Sequence, residues 1–118
     1  MEYTVTEMNG KRFVEILSGN PPIETEQQGM DLISLCFEQQ VNDILIPNEC
    51  ISDAFITLST RLAGTILQKT VNYHIRVAAV IDEARFNPRF AEFAMESNKA
   101  NEFRVFQSRD QAAEWLAG

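Results

Sequence analysis

The chain has 118 residues, 45% of them apolar and 23% charged, and a net charge of −7 at pH 7. This length and apolar fraction indicate one folded domain and exclude a two-domain enzyme and a disordered chain. The negative charge argues against nucleic acid or an anionic membrane as a partner. No apolar run reaches the ~20 residues that span a bilayer, and the acidic start lacks the basic region of a signal peptide.

The first predicted unit is a β-hairpin. Alternating runs at 3–8 and 11–17 flank Asn9-Gly10. Asn-Gly suits a type I′ turn because both central residues need a positive φ. The unit ends before Pro21-Pro22, since proline cannot continue a sheet ladder.

A helix and a buried strand follow. Thr25 and Gln28 have the spacing of a capping box, which predicts a helix start, and Asn42 is the expected end. The apolar run 43–46, cut by Pro47, predicts a short buried strand. The buried face of the helix is expected to hold the apolar residues at three- and four-residue steps, namely Met30, Ile33, Cys36 and Phe37.

The central segment 52–73 is predicted to be mostly helical, and the apolar run 76–81 predicts a strand covered on both faces. The apolar positions of the helix trace an inner face. They are Leu58, Leu62, Ile66 and Val71, with Ala63 and Leu67 beside them.

Two helices and one strand complete the chain. Asn87-Pro88 predicts a helix start, with the proline at the first helical position, and this helix ends near Ser97-Asn98. Residues 102–106 alternate as an edge strand does. A second capping box, Ser108 with Gln111, begins the last helix. Its buried residues are expected to be Ala112, Trp115 and Leu116.

The predicted order is β-β-α-β-α-β-α-β-α. Short apolar strands alternating with helices favour right-handed crossovers and a parallel sheet, preceded here by an antiparallel hairpin. We therefore expect a single α/β domain over residues 1–118 with a mixed, mainly parallel sheet.

The charge is unevenly distributed. Residues 1–60 hold ten acidic and two basic residues, a net of −8, whereas residues 61–118 hold seven acidic and eight basic residues, a net of +1. A solvated acidic face explains this split. Complementarity with a second copy or with a basic partner is the alternative.

The cysteines and the single histidine give little indication of a metal site or of redox chemistry. Cys36 and Cys50 lie 14 positions apart without a C-x-x-C motif, which favours a reduced cytoplasmic protein over a disulfide framework. Cys36 lies on the apolar face of the predicted helix, where a free thiol behaves as a small hydrophobic group. His74 is the single histidine and cannot form a zinc site with these cysteines at such a spacing. We expect no metal and no cofactor.

The segment 62–73 and the strand after it resemble a bacterial family described as domain of unknown function 4180. The family has an A-G-x-x-x-Q-K-x-x-N-Y stretch before a strand and E-S-N near the end of the next helix. The resemblance extends from about Asn9 to Leu116. The matching residues here are Ala63-Gly64, Gln68-Lys69, Asn72-Tyr73 and Glu96-Ser97-Asn98.

The order of elements and the closing segment 104–116 also resemble STAS-like domains, the group that includes the SpoIIAA-like proteins. This resemblance implies a small β/α regulator that binds proteins and in some cases small or lipidic ligands. In such regulators a Ser or Thr at the start of the helix after the central strand is phosphorylated. Ser59 is the nearest candidate, although it lacks the preceding Asp and the following Gly, and N-capping is the alternative.

Polar residues beside the inner face of the 58–73 helix form the candidate binding site. Gln68 and Asn72 share a helix face, and Lys69 lies about 100° away. In one interpretation, these residues line a cleft against Glu96 and Asn98. In the other, they act on their own helices: Lys69 complements the negative helix end, and Asn72 or Asn98 is a C-cap in the left-handed conformation. Gly64 is expected to permit a close approach to the sheet or to a neighbouring chain. The candidate residues are Ser59, Arg61, Gly64, Gln68, Lys69, Asn72, Glu96 and Asn98.

Three functions remain open. The leading hypothesis is a non-catalytic module that binds a protein partner or itself, as a homodimer, through helix 58–73 and the loop 47–57. The alternative is a protein that binds a small anionic or lipidic ligand through Arg61, Gln68, Lys69 and Asn72. An enzyme would need its acids and His74 in one cleft. The acids in question are Asp82 and Glu83, at the carboxyl end of a strand.

Overall fold

The structure is a computed structural model that describes residues 1–118. Five strands and five helices alternate along the chain, and short 3₁₀ turns lie at Asn48–Cys50, Leu58–Thr60 and Glu83–Arg85. The strands are β1 (Tyr3–Met8), β2 (Lys11–Ile16), β3 (Asp43–Ile46), β4 (Arg76–Val80) and β5 (Phe103–Phe106). The helices are α1 (Glu26–Gln39), α2 (Asp53–Ile56), α3 (Leu62–Asn72), α4 (Pro88–Ser97) and α5 (Arg109–Ala117).

The five strands form one sheet in which the spatial order β1-β2-β3-β4-β5 repeats the chain order. β1 pairs antiparallel with β2 across the Asn9-Gly10 turn, whose two residues have φ values of 54° and 78°. All other neighbours are parallel. The α/β class, the hairpin and the mainly parallel sheet predicted from the sequence are confirmed.

The helices divide unequally between the two faces of the sheet. α1, α2, α3 and α4 cover one face and enclose the main core, which has 25 buried residues. α5 alone covers the other face. It places Ala112, Ala113 and Leu116 on the central strands at Phe13, Leu45 and Ala78.

The segment 52–73 is mostly helical, as predicted, but the helix expected over 58–73 begins only at Leu62. The segment is divided into α2, a 3₁₀ turn and α3, because Arg61 adopts a left-handed conformation with φ of 66°. The Thr60 hydroxyl lies 2.6 and 2.9 Å from the carbonyl oxygens of Ala54 and Thr57, which share its single proton, and it accepts from the Leu62 N–H. These local bonds replace the helical ladder and end the first segment.

The predicted inner face of α1 is wrong at Phe37, which is 57% exposed. The buried residues of α1 are Gly29, Leu32, Ile33 and Cys36. The face is displaced because α1 contacts α3 through Gly29. Phe37 instead packs edge-on against the half-exposed Tyr73, with 5.3 Å between ring centroids.

Ion pairs and hydrogen bonds hold both ends of α5 on the sheet. Near its start, Arg109 donates two hydrogen bonds to the Glu15 carboxylate, at 2.7 and 2.8 Å. At its end, Arg76 donates to the Leu116 carbonyl and Lys11 to the Gly118 carbonyl. Cationic groups at helix carbonyls also complement the helix dipole.

Because the strand order follows the chain order, the strands of the two halves of the sequence lie on different sides of the sheet, although α3 and α5 of the second half pack against elements of the first half. The hairpin, α1 and β3 belong to the segment 1–60 with its net charge of −8, and β4, β5 and α4 belong to the nearly neutral remainder. The charge split in the sequence therefore follows the order of the strands across the sheet. None of the five helices has the length and hydropathy needed to cross a membrane.

Candidate functional site

An open groove of about 250 Å³ lies between α3 and α4. Its apolar walls and floor are Leu67, Val71, Phe93 and Phe103, and its polar margin includes Gln68, Ser97 and Glu102. Leu67 and Phe103 are buried, whereas Val71 and Phe93 are partly exposed. The groove therefore presents apolar surface from the core to solvent between polar residues, which is the usual composition of a binding surface.

The packing of the neighbouring elements keeps this groove open. On one side α3 lies against α1, where Gly29 faces Ile66. On the other side α4 sits over β5, and Phe93 contacts both Phe90 and Phe103, with ring centroids 5.8 and 5.9 Å apart. Since α3 is packed against α1 and α4 is held on β5, the space between α3 and α4 is left unfilled.

Gly64 lies at the margin of the groove and is exposed. A Cβ added there would have no heavy atom within 4 Å. The expected close approach of Gly64 to the sheet is therefore wrong, and Gly29 is the glycine that permits close packing. Because Gly64 has no side chain and no close neighbour, this part of the groove margin is open.

Gln68 and Asn72 lie together as predicted from their spacing. The Gln68 amide donates to the Asn72 side-chain oxygen at 3.1 Å, and both residues are exposed. Lys69 forms no ion pair or side-chain hydrogen bond and lies in the last turn of α3. Of these three residues, only Gln68 lines the groove.

Neither Ser59 nor Arg61 is brought into the groove. Ser59 is an exposed residue of a 3₁₀ turn and does not cap α3, so the N-capping interpretation is wrong. Arg61 occupies the N-cap position of α3, is exposed and makes no ion pair. Arg61 precedes α3, whereas Gln68, Lys69 and Asn72 lie in its second half. The four candidates of the anion-binding hypothesis therefore do not converge.

Asn98 belongs to the edge of β5. Its amide donates to the Val105 carbonyl at 3.2 Å and its oxygen accepts from the Val105 N–H at 2.8 Å. The predicted left-handed C-cap is wrong, because Asn98 has φ of −70° and His74 is the left-handed residue after α3. Glu96 is exposed and pairs with Lys99 at 3.2 Å.

The carboxyl ends of the parallel strands hold a network that is internally satisfied. Arg85 donates to the backbone carbonyls of Asn48 and Ile51, at 3.0 and 2.7 Å, and to the side chain of Asn48. Gln107 bridges the strand ends by donating to the Ile81 carbonyl and accepting from the Glu83 N–H. Arg85 and Gln107 had no distinguishing signal in the sequence, because only the fold brings these loops together.

The three residues of the enzyme hypothesis do not meet. Asp82 and Glu83 follow the carboxyl end of β4, where Asp82 caps the N–H of Ala84 at 2.9 Å. His74 precedes the other end of the same strand. A five-residue strand spans about 16 Å at ~3.3 Å per residue, so an active site that combines all three is excluded.

Neither the void in the main core nor the depression beside the strand ends is lined by the candidate cations Arg61 and Lys69. The void within the main core is about 10 Å³, close to the volume of a single water position and far below that of a lipid chain. An open depression of about 440 Å³ lies beside the strand ends and is lined by Glu24, Glu49 and Asp53 together with Arg85. Three carboxylates against one engaged guanidinium disfavour an anion there.

The titratable sulfur atoms are buried. Burial, together with the nearby Asp43 carboxylate, raises the pKa of Cys36 to about 12. Burial also raises the pKa of Cys50, and both thiols are free, as predicted. No three His, Cys, Asp or Glu side chains lie where they could hold a metal ion together.

The groove residues Leu67, Val71, Phe93 and Phe103 were not identified as a site from the sequence. Their spacing is that of core residues, and nothing in the pattern distinguishes a partly exposed apolar position from a buried one. Gly64 and Gln68 are the two sequence candidates that the fold brings to the groove.

Comparison with known proteins gives one match. The model of the family described as "Domain of unknown function (DUF4180)" matches residues 8–116. No curated protein and no solved structure matches the chain. Since the match spans nearly all of the α/β domain described above, this chain is a member of the DUF4180 family.

Proposed function

We propose that this chain is a non-catalytic, cytoplasmic module that binds a partner protein through the groove between α3 and α4. This is the role that the resemblance to STAS-like regulators implies. The proposal rests on the groove itself, which exposes the apolar side chains of Val71 and Phe93. At its margin lies Gly64, which has no side chain to obstruct a partner.

The size of the groove favours a protein over a cofactor. Small-molecule pockets usually enclose roughly 300–1,000 Å³ and bury most of the ligand, whereas this groove is open and has about 250 Å³. Such a volume suits one or two large apolar side chains presented by a partner. Its polar margin, with Gln68 and Glu102, matches the polar rim found around the apolar centre of protein interfaces.

Site-specific photo-crosslinking in the native cell tests this proposal. A crosslinker is placed at Gln68 in the groove or at Glu114, an exposed residue of α5 on the opposite face. We expect one protein to be captured at Gln68 and not at Glu114. Equal capture at both positions, or none at either, would contradict the proposal.

A matched pair of glycine variants then tests the groove with the captured partner. Gly64 and Gly19 both have open space where a Cβ would be added, so Gly64→Glu and Gly19→Glu introduce the same charge without a clash. We expect Gly64→Glu to weaken partner binding at least tenfold and Gly19→Glu to leave it unchanged. Binding that is insensitive to Gly64→Glu would place the interface elsewhere.

A further inference from the structure

The two edges of the sheet differ in whether their backbone groups are satisfied. The Leu17 N–H donates to the Glu2 carbonyl at 3.2 Å. Because hydrogen-bonded positions alternate along an antiparallel pair, Thr4, Thr6 and Met8 share this inward orientation. The N–H and C=O groups of Tyr3, Val5 and Glu7 therefore point away from β2 and have no partner strand.

The opposite edge, formed by β5, is partly closed. Bonds from Val77 to Glu102 and from Ile81 to Phe106 show which backbone groups of β5 face β4. The residues whose backbone groups face outward are therefore Phe103 and Val105, and the Asn98 side chain binds both the N–H and the C=O of Val105. The Asn98 side chain thus blocks part of the β5 edge, whereas no side chain binds the outward backbone groups of β1.

β1 lacks the features that usually protect an edge strand. It contains no proline, lysine or bulge, and all six of its residues pair in regular register with β2. Its charged residue, Glu7, forms no ion pair although Arg12 is its cross-strand neighbour. Glu2 adjoins the other end of β1, where it lines an open depression together with Asp31.

We propose that β1 accepts an extended basic segment of a partner protein as a sixth, antiparallel strand. The added strand would place an apolar β-branched residue opposite Val5 and a lysine or arginine opposite Glu7. Opposite charges in such positions stabilise strand pairing, and like charges oppose it. The net charge of −8 over residues 1–60, which include β1, extends this preference beyond the strand itself.

The same charge disfavours a second copy as the occupant. Pairing of two β1 strands would bring two acidic halves together and leave both Glu7 carboxylates without a cationic neighbour from the added strand. This proposal stands independently of the α3–α4 groove, because β1 lies at the far edge of the sheet from α4 and β5.

The test uses the acetylated, amidated peptide Lys-Thr-Val-Thr-Ile-Lys, whose lysines fall opposite Glu7 and Glu2 when its valine faces Val5. Amide hydrogen exchange is measured by NMR on the full chain with millimolar peptide. We expect exchange at Tyr3, Val5 and Glu7 to slow at least tenfold, while Thr4 and Thr6 remain unchanged. A twin peptide with glutamate in place of both lysines should have no effect.

Two changes on the strand edge complete the test. Val5→Pro removes an N–H that points to solvent and spares the bonds to β2, and it should weaken peptide binding at least tenfold. Should this variant unfold, N-methylation of the peptide replaces it, since methylation at its valine should abolish protection and methylation at its threonines should not. Equal protection by the glutamate twin, no protection by either peptide, or protection that rises with protein concentration alone would overturn the proposal.

Discussion

Gly29 of α1 lies so close to Ile66 of α3 that a Cβ added to the glycine would stand 2.6 Å from the Ile66 Cγ1 atom. Ile66 is 4% exposed and has core residues around it, so it cannot move aside freely. We expect Gly29→Ala to destabilise the protein by about 1–3 kcal/mol, since overpacking outweighs the gain in helix propensity. Chemical denaturation measures this loss.

Gly64→Ala is the matched control for Gly29→Ala, because both glycines lie inside helices. With no heavy atom near the added methyl group, only helix propensity changes, and Gly64→Ala should stabilise the protein by about 1 kcal/mol. If both variants shift stability in the same direction, the assignment of Gly29 as the close-packing residue is wrong.

The Glu15–Arg109 ion pair predicts a pH-dependent contribution to stability. Hydrogen bonds from Arg109 hold the pKa of Glu15 below its ordinary value of 4.5, more strongly than burial raises it, and the Thr6 hydroxyl adds to the lowering. A carboxyl group with a depressed folded-state pKa stabilises the fold above its unfolded pKa, and this stabilisation is lost as pH falls through the folded value.

We therefore expect Glu15→Gln to lower the free energy of unfolding by about 1 kcal/mol at pH 7. The difference from the native sequence should shrink below pH 4, as the native carboxylate becomes protonated. Asp110→Asn serves as the control, because the Asp110 side chain is 85% exposed in its ion pair with Arg109, and its effect should be close to zero. A difference that does not shrink as the pH falls below the ordinary pKa of Glu15 would contradict the ion-pair explanation.

Neither cysteine should react with thiol reagents in the folded protein. Both side chains are fully buried, and the pKa of Cys36, at about 12, leaves almost no thiolate at pH 8. Ellman's reagent should therefore label no thiol in the native state and two after unfolding. Rapid labelling of either cysteine without denaturant would show that its surroundings open.

Asn98 should be far more important for stability than Asn72, although both are exposed asparagines near helix ends. Asn98→Ala removes two hydrogen bonds to the backbone of Val105 and should cost about 2 kcal/mol. Asn72→Ala removes one contact with Gln68 and should change stability by less than about 0.5 kcal/mol. Thermal denaturation compares the two variants.

Asn98→Ala should also expose the backbone groups of β5 at the sheet edge. We expect this variant to self-associate at high protein concentration, because an unprotected edge pairs with other chains. Sedimentation velocity measures the association. A monomeric Asn98→Ala protein with unchanged stability would show that the Asn98 bonds do not protect the edge.

Local signals in the sequence predicted the parts of the fold that depend on local chemistry. Asn9-Gly10 has few alternatives to a tight turn, and the Thr25–Gln28 capping box forms the two reciprocal contacts expected of it. The break at Arg61 was not predictable in this way, because a left-handed arginine follows from the surrounding packing and the bonds of Thr60, and no glycine or proline marks it.

The candidate site depends still more on tertiary structure. Gly29 and Gly64 look equivalent in the sequence, and only the neighbour of each decides which one is packed against another helix. Phe37 and Phe93 likewise fit a helical apolar stripe, yet the rotation of α1 leaves Phe37 exposed and the spacing of α3 and α4 leaves Phe93 in a groove. Periodicity identifies apolar faces but does not show which of them a neighbouring element covers.

The position of α5 has a consequence for folding during synthesis. Each strand from β2 to β5 pairs with the strand made just before it, so the sheet can assemble progressively as the chain leaves the ribosome. Its second face, with Phe13, Leu45 and Ala78, stays uncovered until residues 109–117 emerge. The contact between Glu15 and Arg109, 94 positions apart in the chain, is therefore among the last to form, and the nascent domain is most prone to aggregation just before that step.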